Sequence, residues 1–223
     1  ICLCVGVVTL LGGVLLRAAP VLAGPQVSCL STGTGSATDS TTSLATFTAA
    51  GFVCEQQDKI FSNFSITPGL GTATNVRFSL QTLGGTDFHT VTLGGSFTTN
   101  LTFSYDIAID PNFPGQDPSL RIVRVSGDLL NPSNVGAPTV TKTIFTEGGS
   151  LLGSVVSTIA TPGTPLVVSQ TAVHVVDTYT ANGGAATAIG NTFQQSPVPE
   201  PMTNALVGVG LLLLGWARRK RRA

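Results

Sequence analysis

Any chemistry in this chain rests on few side chains: 223 residues contain 2 His, 4 Cys and only 10% charged residues. A Ser/His/Asp hydrolase needs a base within hydrogen-bond reach of its nucleophile, and His89 and His174 are the only histidines that could serve. No G-x-S-x-G elbow exists, since Gly149-Ser150-Leu151-Leu152-Gly153 is one residue too long. In His174-Val175-Val176-Asp177 an offset of three along a strand sends the two side chains to opposite faces, so His174 reads as a surface histidine. His89 reads as part of a hairpin-like turn with little company. A zinc site needs three or four Cys, His or carboxylate ligands, and the chain clusters too few. No catalytic, cofactor-binding or metal residues are therefore assigned.

The carboxylates offer two further readings. Asp106, Asp110, Asn112 and Asp117 share a strand end and the loop after it. Calcium takes about six to eight oxygens, more than this loop supplies, and Asp, Asn and Pro are what turns use in any case. Asp106 and Asp110 would lie about 13 Å apart on one strand face at ~3.3 Å per residue. Paired carboxylates in glycoside hydrolysis are only about 5 to 9.5 Å apart. A carboxylate-dependent hydrolase thus needs pairings that folding would have to create. A glycan-binding module needs flat aromatic platforms, and the body has no Trp and only Tyr105 and Tyr179, both of which read as core. These two readings stand as the alternatives to a non-catalytic body.

Apolar excess sits at the two ends. Residues 1–16 are apolar apart from Thr9 and three glycines, and Val21-Leu22-Ala23 precedes Gly24-Pro25. An apolar core of about 7–15 residues followed by small residues at the −3 and −1 positions marks a secretory signal peptide, with cleavage after Ala23. The chain starts with Ile and no basic residue precedes the core, so the start reads as truncated. Cys2 and Cys4 leave with that segment. Cys29 and Cys54 remain, and an even count in an exported protein predicts a disulfide. Both lie in polar, Gly/Ser/Thr-rich surroundings, so the bridge is expected to offset weak local burial.

At the other end Pro199-Glu200-Pro201 is followed by an apolar run over residues 202–217 and then by Arg218-Arg219-Lys220-Arg221-Arg222. Sixteen residues make about 24 Å of helix at 1.5 Å each, short of a ~30 Å hydrocarbon core. Such a span suits transient insertion, and the basic residues mark the cytoplasmic side. The three parts, in this order, resemble the PEP-CTERM sorting signal of Gram-negative bacteria. That resemblance implies export through the Sec machinery, transient residence in the inner membrane, and recognition by an exosortase. It further implies release to a cell surface or matrix where exopolysaccharide is a potential partner. The stretch from Cys54 through Asp58-Lys59-Ile60-Phe61-Ser62-Asn63-Phe64 also resembles a segment near the start of many PEP-CTERM ectodomains. Read physically, its turn delivers Lys59 to the surface, and Phe61 and Phe64, three apart, point to opposite faces.

The formal net charge is zero, yet residues 24–196 hold five basic against ten acidic side chains. A nucleic-acid partner is excluded, because such binders carry a basic excess over the fold. Along this body the dominant period is two. Residues 97–109 alternate most clearly, and 60–66, 73–83, 88–93, 120–129, 139–146, 151–159 and 166–179 are shorter versions of the pattern. Gly and Pro clusters punctuate them. Only residues 185–189 suggest a short helix. No fixed repeat calls for a β-helix. The predicted fold is all-β, an antiparallel β-sandwich of immunoglobulin-like or jelly-roll type. The expected organisation is a signal helix over 1–23, the sandwich over 24–196 and the sorting signal over 197–223.

Overall fold

The structure is a computed structural model, and it describes residues 27–29, 34–36, 39–67, 73–83, 86–130, 132 and 135–197. The signal segment and the sorting signal, including Pro199, Glu200, Pro201 and residues 218–222, lie outside the described residues. Among the described residues no helix is long and apolar enough to cross a membrane.

In chain order the elements are β1 (Val27–Ser28), β2 (Thr34–Ser36), β3 (Asp39–Ser43), helix α1 (Leu44–Phe47), β4 (Val53–Gln56) and β5 (Lys59–Thr67). Next come β6 (Ala73–Leu83), β7 (Thr86–Phe97), β8 (Leu101–Ile109), β9 (Leu120–Leu130) and β10 (Thr139–Thr146). The chain continues with β11 (Leu151–Thr158), β12 (Leu166–Gln170), β13 (Ala172–Thr180) and β14 (Ala186–Pro197). One seven-stranded sheet has the order β1-β4-β5-β8-β13-β10-β11, and the other β12-β9-β14-β7-β6-β3-β2. All pairings are antiparallel except the short parallel contact of β1 with β4. The predicted all-β sandwich is observed.

Alternation builds the core. In β8, Leu101, Phe103, Tyr105, Ile107 and Ile109 are buried, while the residues between them are half-buried. From the other sheet Val76, Phe78, Val91, Leu93, Phe97, Ile189 and Phe193 meet them. Phe61 and Phe78 pack edge to face at 5.1 Å between centroids, and Phe64 stacks on Tyr105 at 5.6 Å. Each large apolar side chain buried this way contributes on the order of 1.5–3 kcal/mol.

Several expectations change at the places where the chain leaves regular alternation. The run 97–109 is two strands in different sheets, because residues 98–100 carry the chain across the sandwich. The run 166–179 divides the same way at Thr171. Residues 185–189 are not helical: from Ala186 they enter β14, whose backbone is paired on both sides, by β7 and β9, which outweighs a weak local preference for helix. The helix that does form, α1, is one turn that buries Leu44 and Phe47.

Phe61 and Phe64 do not face opposite ways; both are in the core. The register slips between Ser62 and Ser65, and Asn63 takes a left-handed conformation at φ 54°, so an extra residue is absorbed and Phe64 returns inward. Lys59 is not delivered to the surface. It pairs with Gln56 across the β4–β5 turn and lies in phase with Phe61, so its side chain is fully buried.

Cys29 and Cys54 form a disulfide, with Cα atoms 4.9 Å apart. Contrary to expectation the bridge is not a substitute for burial, because both cysteines belong to the core cluster. It ties the parallel β1 to β4 across a sequence separation of 25. Replacing Cys29 and Cys54 by Ser is expected to lower unfolding free energy by about 3 kcal/mol, measured by chemical denaturation, with no change in the far-ultraviolet signature of the sheets.

Candidate functional site

On the outer face of the first sheet a polar row crosses three strands and ends against a phenylalanine on a fourth. Ser62, Asp106, His174 and Phe145 occupy successive register positions on β5, β8, β13 and β10. His174 Nδ1 is 2.5 Å from Asp106 Oδ1, and Asn63 Nδ2 donates to Asp106 Oδ2 at 2.5 Å. Side chains of His174 and Asp106 are 37% and 35% exposed, so the pair contributes no more than about 1 kcal/mol. His174 is thus outward and Asp177 inward, as their spacing predicts.

A proton relay for acyl transfer needs the imidazole between nucleophile and carboxylate. Here the carboxylate stands in the middle. Ser62 is two strands from His174, about 10 Å at ~4.8 Å per strand, too far for proton transfer. Beside the row opens a cleft of about 410 Å³ lined by Ile60, Asp106, Ala108, Pro111, Asp117 and Pro118 among others, with no aromatic ring in its wall. Tyr105 and Tyr179 are both buried, as their strand positions predict, and offer no platform to a sugar.

The loop carboxylates serve their own turns. Asp110 Oδ1 accepts from the Asn112 backbone at 2.8 Å, and Asp117 Oδ1 accepts from the Ser119 hydroxyl at 2.7 Å and backbone at 2.8 Å. The Ser119 bonds hold Asp117 below the usual carboxylate range. Burial, and then the neighbouring Asp110, raise Glu55 above it. Among the described residues no three His, Cys, Asp or Glu side chains are placed to share a metal ion.

The denser chemistry is inside the sandwich, where sequence reading had placed none. Lys142 on β10 and Asp177 on β13 are direct cross-strand partners facing inward, with Lys142 Nζ donating to Asp177 Oδ1 at 2.9 Å. Asn191 on β14 comes from the opposite sheet, and its Nδ2 donates to Asp177 Oδ2 at 2.5 Å. All three side chains are fully buried. Two polar atoms there lack a hydrogen bond, Asn191 Oδ1 and the Tyr105 hydroxyl. Burial and then the Asp177 charge keep Tyr105 protonated, well above the usual phenol range, while adjacent Asn191 opposes that shift. Burial pushes Lys142 down and outweighs the opposing pull of Asp177. Gly127 of β9 lies directly opposite Asn191 in the ladder, and a methyl group on it would come within 2.6 Å of Lys142 Cε. Absence of a side chain at Gly127 is what lets the lysine reach across.

A second buried cluster closes the end of the sandwich near the β4–β5 turn. Lys59 Nζ donates to Asp58 Oδ1 at 2.6 Å and to Gln195 Oε1. Its pKa is lowered by burial, against the pull of Asp58. His89, expected at a turn, is instead mid-strand in β7 and in phase with Val91 and Leu93, hence buried. Its Nε2 is 3.6 Å from Asp58 Oδ1, too far for a hydrogen bond, and neither ring nitrogen has a protein partner. Burial first, and the Lys59 charge second, push His89 down to about 3, so the ring is neutral at physiological pH.

No family model matches the chain, and no curated protein matches it either.

Neutral His89 makes folding sensitive to acid. The unfolded chain takes up a proton below about pH 6.5 while the folded state does not until about pH 3, so stability falls as pH drops through that window. About 2 kcal/mol is lost between pH 6.5 and 5 at ~1.4 kcal/mol per unit. Denaturation curves at both pH values are expected to show this slope in the parent and a shallower one in His89→Leu.

Proposed function

We propose that the chain is an exported surface or extracellular-matrix protein, sorted by an exosortase through its C-terminal signal, whose β-sandwich serves a structural or adhesive role without catalysis. The observation that carries this reading is the order Pro199-Glu200-Pro201, apolar 202–217, then Arg218-Arg219-Lys220-Arg221-Arg222. Support comes from the N-terminal export pattern over 1–23 and from the buried disulfide, a bond that persists in oxidising compartments outside the cytoplasm. The Sec machinery, the exosortase and, transiently, the inner membrane are the partners this route requires, with exopolysaccharide as the matrix partner. Within the sandwich class we read the topology as jelly-roll-like. That reading is supported by the way the chain changes sheet at nearly every step from β7 to β14. The outer-face row lends nothing to a hydrolase, because its carboxylate separates the serine from the histidine.

Expression of the full chain with an epitope tag in the body, in an exosortase-bearing bacterium and in its exosortase deletion strain, tests the reading. The parent strain is expected to release a shortened form to the surface or medium, and the deletion strain to retain the longer form in its inner membrane. Replacing Pro199, Glu200 and Pro201 with Ala is expected to reproduce retention. Identical processing and fractionation in the two strains would overturn it.

A further inference from the structure

Lys142, Asp177 and Asn191 bring an amine, a carboxylate and a carboxamide together in a closed interior. One carboxylate binds both nitrogens, Nζ through Oδ1 and Nδ2 through Oδ2. The neighbours in phase on the same strands are Val140 and Ile144, Val175 and Tyr179, and Ile189 and Phe193, all buried. A lone polar contact would not need this construction. Asn191 keeps an unpartnered buried oxygen, the Tyr105 hydroxyl beside it is unpartnered as well, and Gly127 is shaped to admit the lysine chain. Each of these costs stability if the three groups merely coexist.

We infer that Lys142 and Asn191 become joined by an intramolecular amide bond, which the folded protein forms itself with Asp177 as proton carrier. The route balances without any co-reactant. In the apolar interior the Lys142 ammonium gives one proton to Asp177, leaving a neutral amine beside a neutral acid. The amine lone pair attacks Asn191 Cγ, and negative charge develops on Oδ1, the buried oxygen that has no hydrogen-bond partner. The proton on Asp177 passes to Nδ2 along their existing contact, the Cγ–Nδ2 bond breaks, and ammonia leaves. The former amine nitrogen gives its surplus proton back to Asp177, which ends as a neutral acid. Lysine ammonium, aspartate and asparagine carboxamide have become a secondary amide, ammonia and aspartic acid, with net charge zero on both sides. Fixed proximity replaces the entropy cost of a bimolecular encounter, and excluded water keeps hydrolysis from competing.

The second cluster lacks this arrangement. Asp58 bonds Lys59 but not the Gln195 nitrogen, and Gln195 turns its oxygen to the ammonium. The bond at Lys142 would also do what the disulfide cannot. Cys29 and Cys54 tie strands of the same sheet, whereas Lys142 and Asn191 belong to opposite sheets.

Peptide mapping by mass spectrometry of the folded, exported protein decides the matter. A free Lys142 gives a tryptic peptide from Val125 to Lys142, since Arg124 is the preceding cut site. In the linked protein trypsin is expected to leave Lys142 uncut. The spanning peptide should weigh one ammonia less than its sequence, and fragmentation should connect Lys142 to Asn191. Asp177→Ala and Asn191→Ala, each first shown to keep the far-ultraviolet signature of the folded sheets, are expected to restore both full mass and cleavage. Cleavage after Lys142 at full mass in the folded parent protein would overturn the inference. So would an ammonia loss confined to the Asn191–Thr192 peptide bond with Lys142 still cleavable, because that is cyclisation of the asparagine alone.

Discussion

A charged amine cannot sit at the centre of a two-sheet sandwich without a partner, and much of this structure is arranged around that constraint. Isolated ions in an apolar interior cost many kcal/mol, and removing one member of a buried pair typically costs about 3–5 kcal/mol. Lys142 therefore fixes what surrounds it: Asp177 directly across the ladder on β13, Asn191 facing it from the other sheet, and a glycine at position 127 so that the lysine stem has a path. Apolar residues of β8, β13 and β14 seal the cluster from water. The covalent closure of this triad turns a polar liability in the core into a tie between the sheets.

The inner and outer faces of the same strands divide the work. On β13, Val173, Val175, Asp177 and Tyr179 point inward while His174 points out. The outward histidine meets Asp106 and forms a half-exposed pair of small energetic weight, whereas the inward aspartate meets two buried nitrogens. A period of two thus places a weak solvated contact and a strong buried one on a single strand. The Lys59, Asp58, His89 and Gln195 cluster repeats the theme at the other end of β14, but with a neutral imidazole held against the core. The buried disulfide links two strands of one sheet, and the two internal polar layers join strands of both sheets.

The strands were legible in the sequence because alternation and β-branched residues express half-burial directly, as in residues 101–109. Crossing points were not. At residues 98–100 and at Thr171 the alternation runs on in the sequence while the chain changes sheet, since a connection of one to three residues need not break the pattern. Phe64 was misplaced because Asn63 absorbs a residue in a left-handed turn that spacing alone does not announce. The interior cluster was missed for a different reason. Lys142 lies in phase with Val140 and Ile144, Asp177 with Val175 and Tyr179, and Asn191 with Ile189 and Phe193. A polar residue at an inward position reads as an interruption of a strand, when three such positions signal a shared buried site. The register that brings β10, β13 and β14 together is tertiary information. The tail motif, whose three parts are contiguous, lies outside the described residues and rests on the sequence alone.

Covalent closure of the body and the delivery proposed from the tail would answer the same demand, a domain that stays folded where it is deposited. The most direct measurement is a crystal structure of the mature protein. The predicted result is continuous electron density from Lys142 Nζ to Asn191 Cγ, planar as an amide, with the Asp177 carboxyl hydrogen-bonded to it. A separate ammonium and an intact carboxamide at those positions would contradict the central claim.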